Sequence, residues 1–240
     1  MLALLISFSN FKLPHYMPIL APFTAIIVAE FFVSRSGNEK WERPLFILQV
    51  IVSVCLLLLA ALVNAWAFPV HQLLILIGTI LLLALVFYFF LSRSFTSIRK
   101  AITVTVSAIA LLFFLLNTNF YPQLLDYQAG KPMADLTRGI ADPKNVYYWK
   151  NTFSSSYNFY SASLRQVYDD SIKQSGKKFW LIYDKSQKPE IDSLGLVFGK
   201  EFSIKDYEIT RLKKNFIDPA TRNETLNEMV MVEVFERKLF

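Results

Sequence analysis

The stretch "LLILIGTILLLALVFYFFL" (Leu73–Leu91) carries no charged residue, and its reading decides the rest of the chain. A helix that crosses a bilayer needs about 20 predominantly apolar residues. Similar runs flank this one at Leu13–Val33, Pro44–Trp66 and Ala101–Leu116. The last is slightly short and borders Asn117, Asn119 and Phe120, an interface-like end. Met1–Ser9 is too short to span, and it lacks the basic start and small-residue cleavage site of a signal peptide. It reads as the last turns of a helix. The chain is 54% hydrophobic with 22 Phe and only 7 Gly, an excess over soluble domains that falls mostly before residue 118.

The expected architecture is therefore an integral membrane α-helical region over 1–117, with about four complete spans plus the end of one more. A small extracytoplasmic α/β or α+β domain follows over 118–240. The 34–43 loop, "SRSGNEKWER", and the 92–100 loop, "SRSFTSIRK", hold the basic residues, whereas "AFPVHQ" (67–72) holds none. The positive-inside rule places the two basic loops in the cytoplasm. Lys12, His15, His71 and everything after Asn117 then face outward. The net charge of +6 is concentrated in these flanking loops, which excludes the clustered basic face of a nucleic-acid binder.

In the outer half, "KKFWLIYD" (Lys177–Asp184) is the clearest strand, with five apolar or aromatic residues in a row. "NVYYWK" (Asn145–Lys150), "EFSIKDYEITRL" and "EMVMVEVFER" read as further strands, the last two on partial period-two alternation. "SSYNFYSASL" and "PEIDSLG" read as helices, and 118–140 as one or two short helical pieces broken at Gly130 and Pro132. Strands interleaved with short helices imply an α/β or α+β domain.

Little in the sequence carries soluble-enzyme chemistry. There is no Ser/His/Asp arrangement, no glycine-rich phosphate loop, no HExxH and no His/Cys cluster with metal-ligand spacing. Cys55 lies inside an apolar run as a small hydrophobe. The Asn223-Glu-Thr225 sequon is short enough to arise by chance. Asp169-Asp170 and Lys177-Lys178 read as solvated surface.

"FSNFKLPHYMPILAPF" (Phe8–Phe23) is different. It puts Lys12, His15 and Tyr16 beside an apolar run holding Pro14, Pro18 and Pro22. With a helix starting near Leu13, Tyr16 lies about one turn below Lys12. Pro14 suits a first turn, where its missing N–H has no partner to lose. Pro18 and Pro22 fall deeper and should bend or loosen the helix. A lysine here can simply snorkel, and a tyrosine can belong to the aromatic belt. The functional alternative is a headgroup site, in which an ammonium and a phenol grip a phosphate at a partly open helix mouth.

This segment resembles the second half of bacterial GT-C membrane glycosyltransferases, the relatives of protein O-mannosyltransferases and of the lipid A aminoarabinose transferase. Those proteins share a Lys-Leu-Pro-x-Tyr sequence entering a proline-bearing helix. "YPQLLDYQAG" after the last span and "FYSAS" in the outer domain resemble the same family's tail. The resemblance covers nearly the whole chain, but only the family's C-terminal half. It implies transfer of a sugar from a polyprenyl-phosphate donor to an acceptor on the outer face of the bacterial inner membrane, with a periplasmic C-terminal domain. It places Lys12 and Tyr16 at the donor phosphate and leaves His15 as a possible site-lining residue at a variable position. The prolines would shape the lipid entrance.

The family's catalytic acid belongs to its first outer loop, and residues 1–117 carry no outward acid: Glu30, Glu39 and Glu42 are all assigned to the cytoplasmic side. The expectation is thus a fragment, inactive alone, with no catalytic residue of its own and a separate N-terminal half as a possible partner. No cofactor or metal is evident; a divalent cation would come only with that other half. A contrasting expectation is a non-catalytic, membrane-anchored protein whose extracytoplasmic domain binds a partner.

Overall fold

Phe179–Asp184 forms a strand whose residues alternate between two apolar environments, the period-two geometry of an extended chain. Trp180 and Ile182 point into one core cluster, and Phe179, Leu181 and Tyr183 into another. The computed structural model describes residues 17–35, 39–92, 97–150, 152–162, 166–169 and 178–235. It divides into two compact units. One takes the chain up to Ala61 and His71–Leu115; the other takes Leu62–Val70 and Leu116–Phe240.

The first unit is helical: α1 (Met17–Arg35), α2 (Glu39–Ala61), α3 (Leu73–Leu91) and α4 (Ser97–Leu115). Three helical stretches among the described residues are long and apolar enough to cross a membrane: Lys40–Ala67, Leu73–Leu91 and Arg99–Leu125. Their outward side chains are apolar, which is the surface a bilayer demands. The described apolar part of α1, Ala21–Ser34, is shorter than these. Residues 17–35 thus supply a helix, and three of the four expected spans are matched by long apolar helices among the described residues, the start of the first expected span lying outside them. Helices in lipid gain little from apolar burial against one another, so small and polar contacts matter more. Ser53 and Thr105 hydroxyls lie 2.9 Å apart between α2 and α4, and Thr105 also donates to Gln49 Oε1 at 2.9 Å.

In the second unit, α5 (Tyr121–Leu125) and α6 (Gly130–Ile140) follow the last long helix. After them come β1 (Val146–Tyr148), α7 (Ser155–Ser161), β2 (Gln166–Val167), β3 (Phe179–Asp184) and α8 (Lys188–Asp192). β4 (Val197–Asp206), α9 (Lys214–Ile217) and β5 (Asn227–Phe235) complete the described order. The five strands form one mixed sheet in the order β2-β1-β3-β5-β4. β1 runs parallel to β2 and β3, and β5 runs antiparallel to β3 and β4. The α/β character expected of the outer half is therefore observed.

Both faces of the sheet are covered. Met133, Ala134 and Tyr157 from α6 and α7 pack on Val146, Tyr148, Trp180, Ile182, Met229 and Met231. Ile191, Leu194 and Leu196 cover Leu181, Tyr183, Val230 and Val232 on the other side. This explains why β3 and β5 read as nearly continuous apolar runs. Gly130 does not break a helix but opens one. A Cβ there would stand 1.9 Å from Ser156 Oγ, so glycine lets α6 start against α7. Pro132 sits in that first turn, where its missing N–H has no helical partner to lose. β4 begins at Val197 rather than at Glu201, and its register against β5 shifts between Phe198 and Glu201.

Candidate functional site

Of the residues singled out by sequence, Lys12, Pro14, His15 and Tyr16 lie outside the described residues. Pro18 falls in the first turn of α1 and Pro22 inside it, and the helix is continuous from Met17 to Arg35. Pro22 has no N–H to give back to the preceding turn, so the Pro18 carbonyl lacks its intrahelical donor.

The described polar chemistry gathers in the second unit. Two stretches of wider π-helical turn, Leu62–Ala67 and Leu116–Phe120, face each other there. Each presents a buried asparagine. Asn119 Nδ2 donates to Asn64 Oδ1 at 3.0 Å and to the Phe68 carbonyl at 2.7 Å. Gln123 Nε2 donates to Asn119 Oδ1 at 2.7 Å and to the Pro69 carbonyl at 3.0 Å. The amides thus satisfy one another and fix the 62–70 segment, as buried polar groups require.

Arg222 completes this attachment. Its guanidinium carbon stands 4.1 Å from the centre of the Phe68 ring. Nη2 donates to the Ala67 carbonyl at 2.5 Å and to the Ile217 carbonyl at 3.1 Å, and Nε donates to the Phe216 carbonyl at 2.9 Å. Around it, Ala67, Phe68, Leu124, Tyr207 and Phe216 form a separate buried cluster, with the Tyr207 and Phe216 rings stacked at 3.7 Å. Nothing in the short stretch "TRNET" signals this role, because the Ala67 carbonyl and the Phe68 ring that Arg222 meets come from a distant part of the chain.

A cleft of about 560 Å³ opens beside α5, α6 and α7. Asp126, Gln128, Lys131, Asp135 and Tyr160 line it, with Leu125 as an apolar wall. Arg138 pairs with Asp135 at 2.9 Å and donates to the Tyr160 carbonyl at 2.6 Å, which ties α6 to α7. Lys131 Nζ lies 6.0 Å from the centre of the Tyr160 ring. The sequence implies short helices over these residues but not the cleft between them, and Asp126 and Gln128 fall in the turn between α5 and α6. The available signal was a cluster of polar side chains directly after the last apolar run.

The perturbed titrations lie elsewhere. Burial pushes Asp206 above its usual range, although its Oδ1 accepts the Ala129 N–H at 2.8 Å ahead of α6. Burial also raises the Tyr183 phenol to about 12. Hydrogen bonds from Lys150, Lys185 and Lys178 hold Glu190, Glu228 and Glu233 below the usual carboxylate range. These acids belong to ion pairs on the sheet and its flanking helix, so their shifts reflect structural pairing. Among the described residues, no group of three or more His, Cys, Asp or Glu is placed to hold a metal ion.

No family model, no curated protein and no solved structure matches the chain.

Proposed function

We propose that this protein works in sugar transfer from a polyprenyl-phosphate donor to an acceptor on the outer face of a bacterial inner membrane, as part of a membrane glycosyltransferase. The observation that carries this reading is the Lys12-Leu-Pro-His-Tyr16 stretch running directly into a proline-bearing apolar helix, α1. The apolar helices of the first unit supply a bilayer-matched surface, and the basic loops favour an outward orientation for residues 116–240.

In this reading the bond between the sugar's anomeric carbon and the phosphate oxygen breaks. The electron pair leaves with the polyprenyl phosphate while an acceptor nucleophile takes the carbon. Charge grows on the departing phosphate, so a fixed cation beside it lowers the barrier. Lys12 provides that point charge, and the Tyr16 hydroxyl donates to a phosphate oxygen.

The test is photolabelling in native membranes with a benzophenone-bearing polyprenyl phosphate. The chain should be labelled, unmodified polyprenyl phosphate should compete, and Lys12→Ala or Tyr16→Phe should reduce labelling roughly tenfold, about the worth of one charge-assisted contact. Labelling that is absent or indifferent to both substitutions overturns the proposal and favours an anchored, partner-binding domain instead.

A further inference from the structure

We propose that the cleft beside α5, α6 and α7 binds a saccharide of one or two rings. Its volume of about 560 Å³ falls within the roughly 300–1,000 Å³ usual for small-molecule sites. The kind of ligand follows from the lining.

Tyr160 offers an exposed ring as a platform for the C–H face of a pyranose, and Leu125 extends that apolar surface. Around the platform stand groups that suit hydroxyls. A carboxylate accepts from two neighbouring O–H groups, an amide both donates and accepts, and an ammonium donates three times. Asp126, Gln128 and Lys131 supply one of each. Among the described residues, the Asp126 and Gln128 side chains make no hydrogen bond or ion pair of their own, so both are available to a ligand.

The charge balance argues against other ligands. Arg138 already neutralises Asp135, and the lining otherwise carries one cation, Lys131, and one anion, Asp126, which leaves no net positive charge for a phosphate. The two carboxylates are too few for a cation site, and one of them is taken. A neutral, polyhydroxylated ring satisfies all of these groups at once.

The walls are also preset. Pro122 and Pro132 flank the cleft with fixed φ, and the Arg138 bridge holds α6 and α7 together. A preset site loses less entropy on binding than one that must order itself. Leu125 ends the last long apolar stretch and Asp126 is the next residue, so the cleft lies where the chain leaves that stretch. In the sugar-transfer reading this cleft would hold the acceptor. That assignment alone rests on the proposed function; the binding itself does not.

The test is saturation-transfer NMR on the full chain in phosphatidylcholine nanodiscs, with the methyl glycosides of glucose, galactose, mannose and N-acetylglucosamine as probes and no polyprenyl lipid present. At least one glycoside should receive transfer at its ring protons. Tyr160→Ala and Asp126→Asn should each reduce that transfer about fivefold, while Tyr160→Phe, which keeps the ring, should retain it. No transfer to any glycoside overturns the inference, as does transfer indifferent to Tyr160→Ala and Asp126→Asn. Because both residues are exposed, Asp126→Asn keeps the test valid even if Tyr160→Ala folds poorly. Failure here with intact polyprenyl labelling removes only this cleft; the reverse removes only the donor site.

Discussion

The Arg222 guanidinium lies over Phe68 and donates to the Ala67, Phe216 and Ile217 carbonyls, a combination that only a flat, forked cation achieves. A lysine has the charge but neither the plane nor the fork. Arg222→Lys should therefore destabilise the second unit by about 1–3 kcal/mol, the worth of hydrogen bonds to a charged group plus a stacked cation. Thermal unfolding of the purified chain measures this, and an unchanged midpoint would show the contacts to be dispensable. The same residue marks what the sequence leaves illegible. A lone arginine in a polar loop has no periodicity, and its carbonyl partner at Ala67 lies 155 residues away. Lys12 and Tyr16 stand out for the opposite reason: polar side chains beside a proline-bearing apolar run conflict with their surroundings, and that conflict shows in the sequence alone.

Elements whose burial is two-sided were the most legible. β3 shows five apolar residues in succession because both its faces are covered, and β5 repeats this between β3 and β4. β4 was harder to place. It is an edge strand with much of its surface exposed, and its register shift against β5 interrupts any alternation. The elements also carry opposing acid–base linkages. Glu190, Glu228 and Glu233 are held below their usual value of 4.5, so their pairing stabilises the fold above that value and is lost as pH falls through the lowered range. Asp206 is raised above 3.8 by burial, so its contribution runs the other way: stability declines as pH rises through the raised range. Melting midpoints from about pH 3 to about pH 8 should rise at first, because three lowered acids oppose one raised one. Asp206→Asn keeps an oxygen for the Ala129 N–H and removes the charge. It should leave the midpoint at neutral pH equal or higher, and a large drop would show that the charge itself holds α6.

At the scale of the whole molecule, the contact boundary does not follow the hydrophobic one. Composition changes near residue 118, yet the second unit also recruits Leu62–Val70, a segment that leaves one long helix and precedes the next. No composition profile shows this, because Phe68 and Leu62 are as apolar as the helices beside them. The consequence is testable. Residues 116–240 expressed alone would lack Ala67 and Phe68 from their cluster and would leave Asn119 without the Asn64 and Phe68 oxygens. That piece should melt below the intact chain, with roughly 3–5 kcal/mol of stability lost, as for deletion of a large buried aromatic side chain. Equal stability would mean that the recruited segment only rests on the surface.

The recruited segment also sets a timetable for biosynthesis. Residues 62–70 leave the ribosome long before Arg222, with 155 residues separating Ala67 from the side chain that clasps it. At about 5–20 residues per second, the wait is roughly 8–30 seconds. During that interval Phe68 has neither its cation nor the Phe216 ring, and loop-closure entropy opposes any early closing of so long a gap. The nascent chain must therefore keep an aromatic segment waiting until nearly its last strand has been made. Ribosomes stalled shortly before codon 216 should yield chains that a protease nicks near Phe68, and release of the stall should close that window.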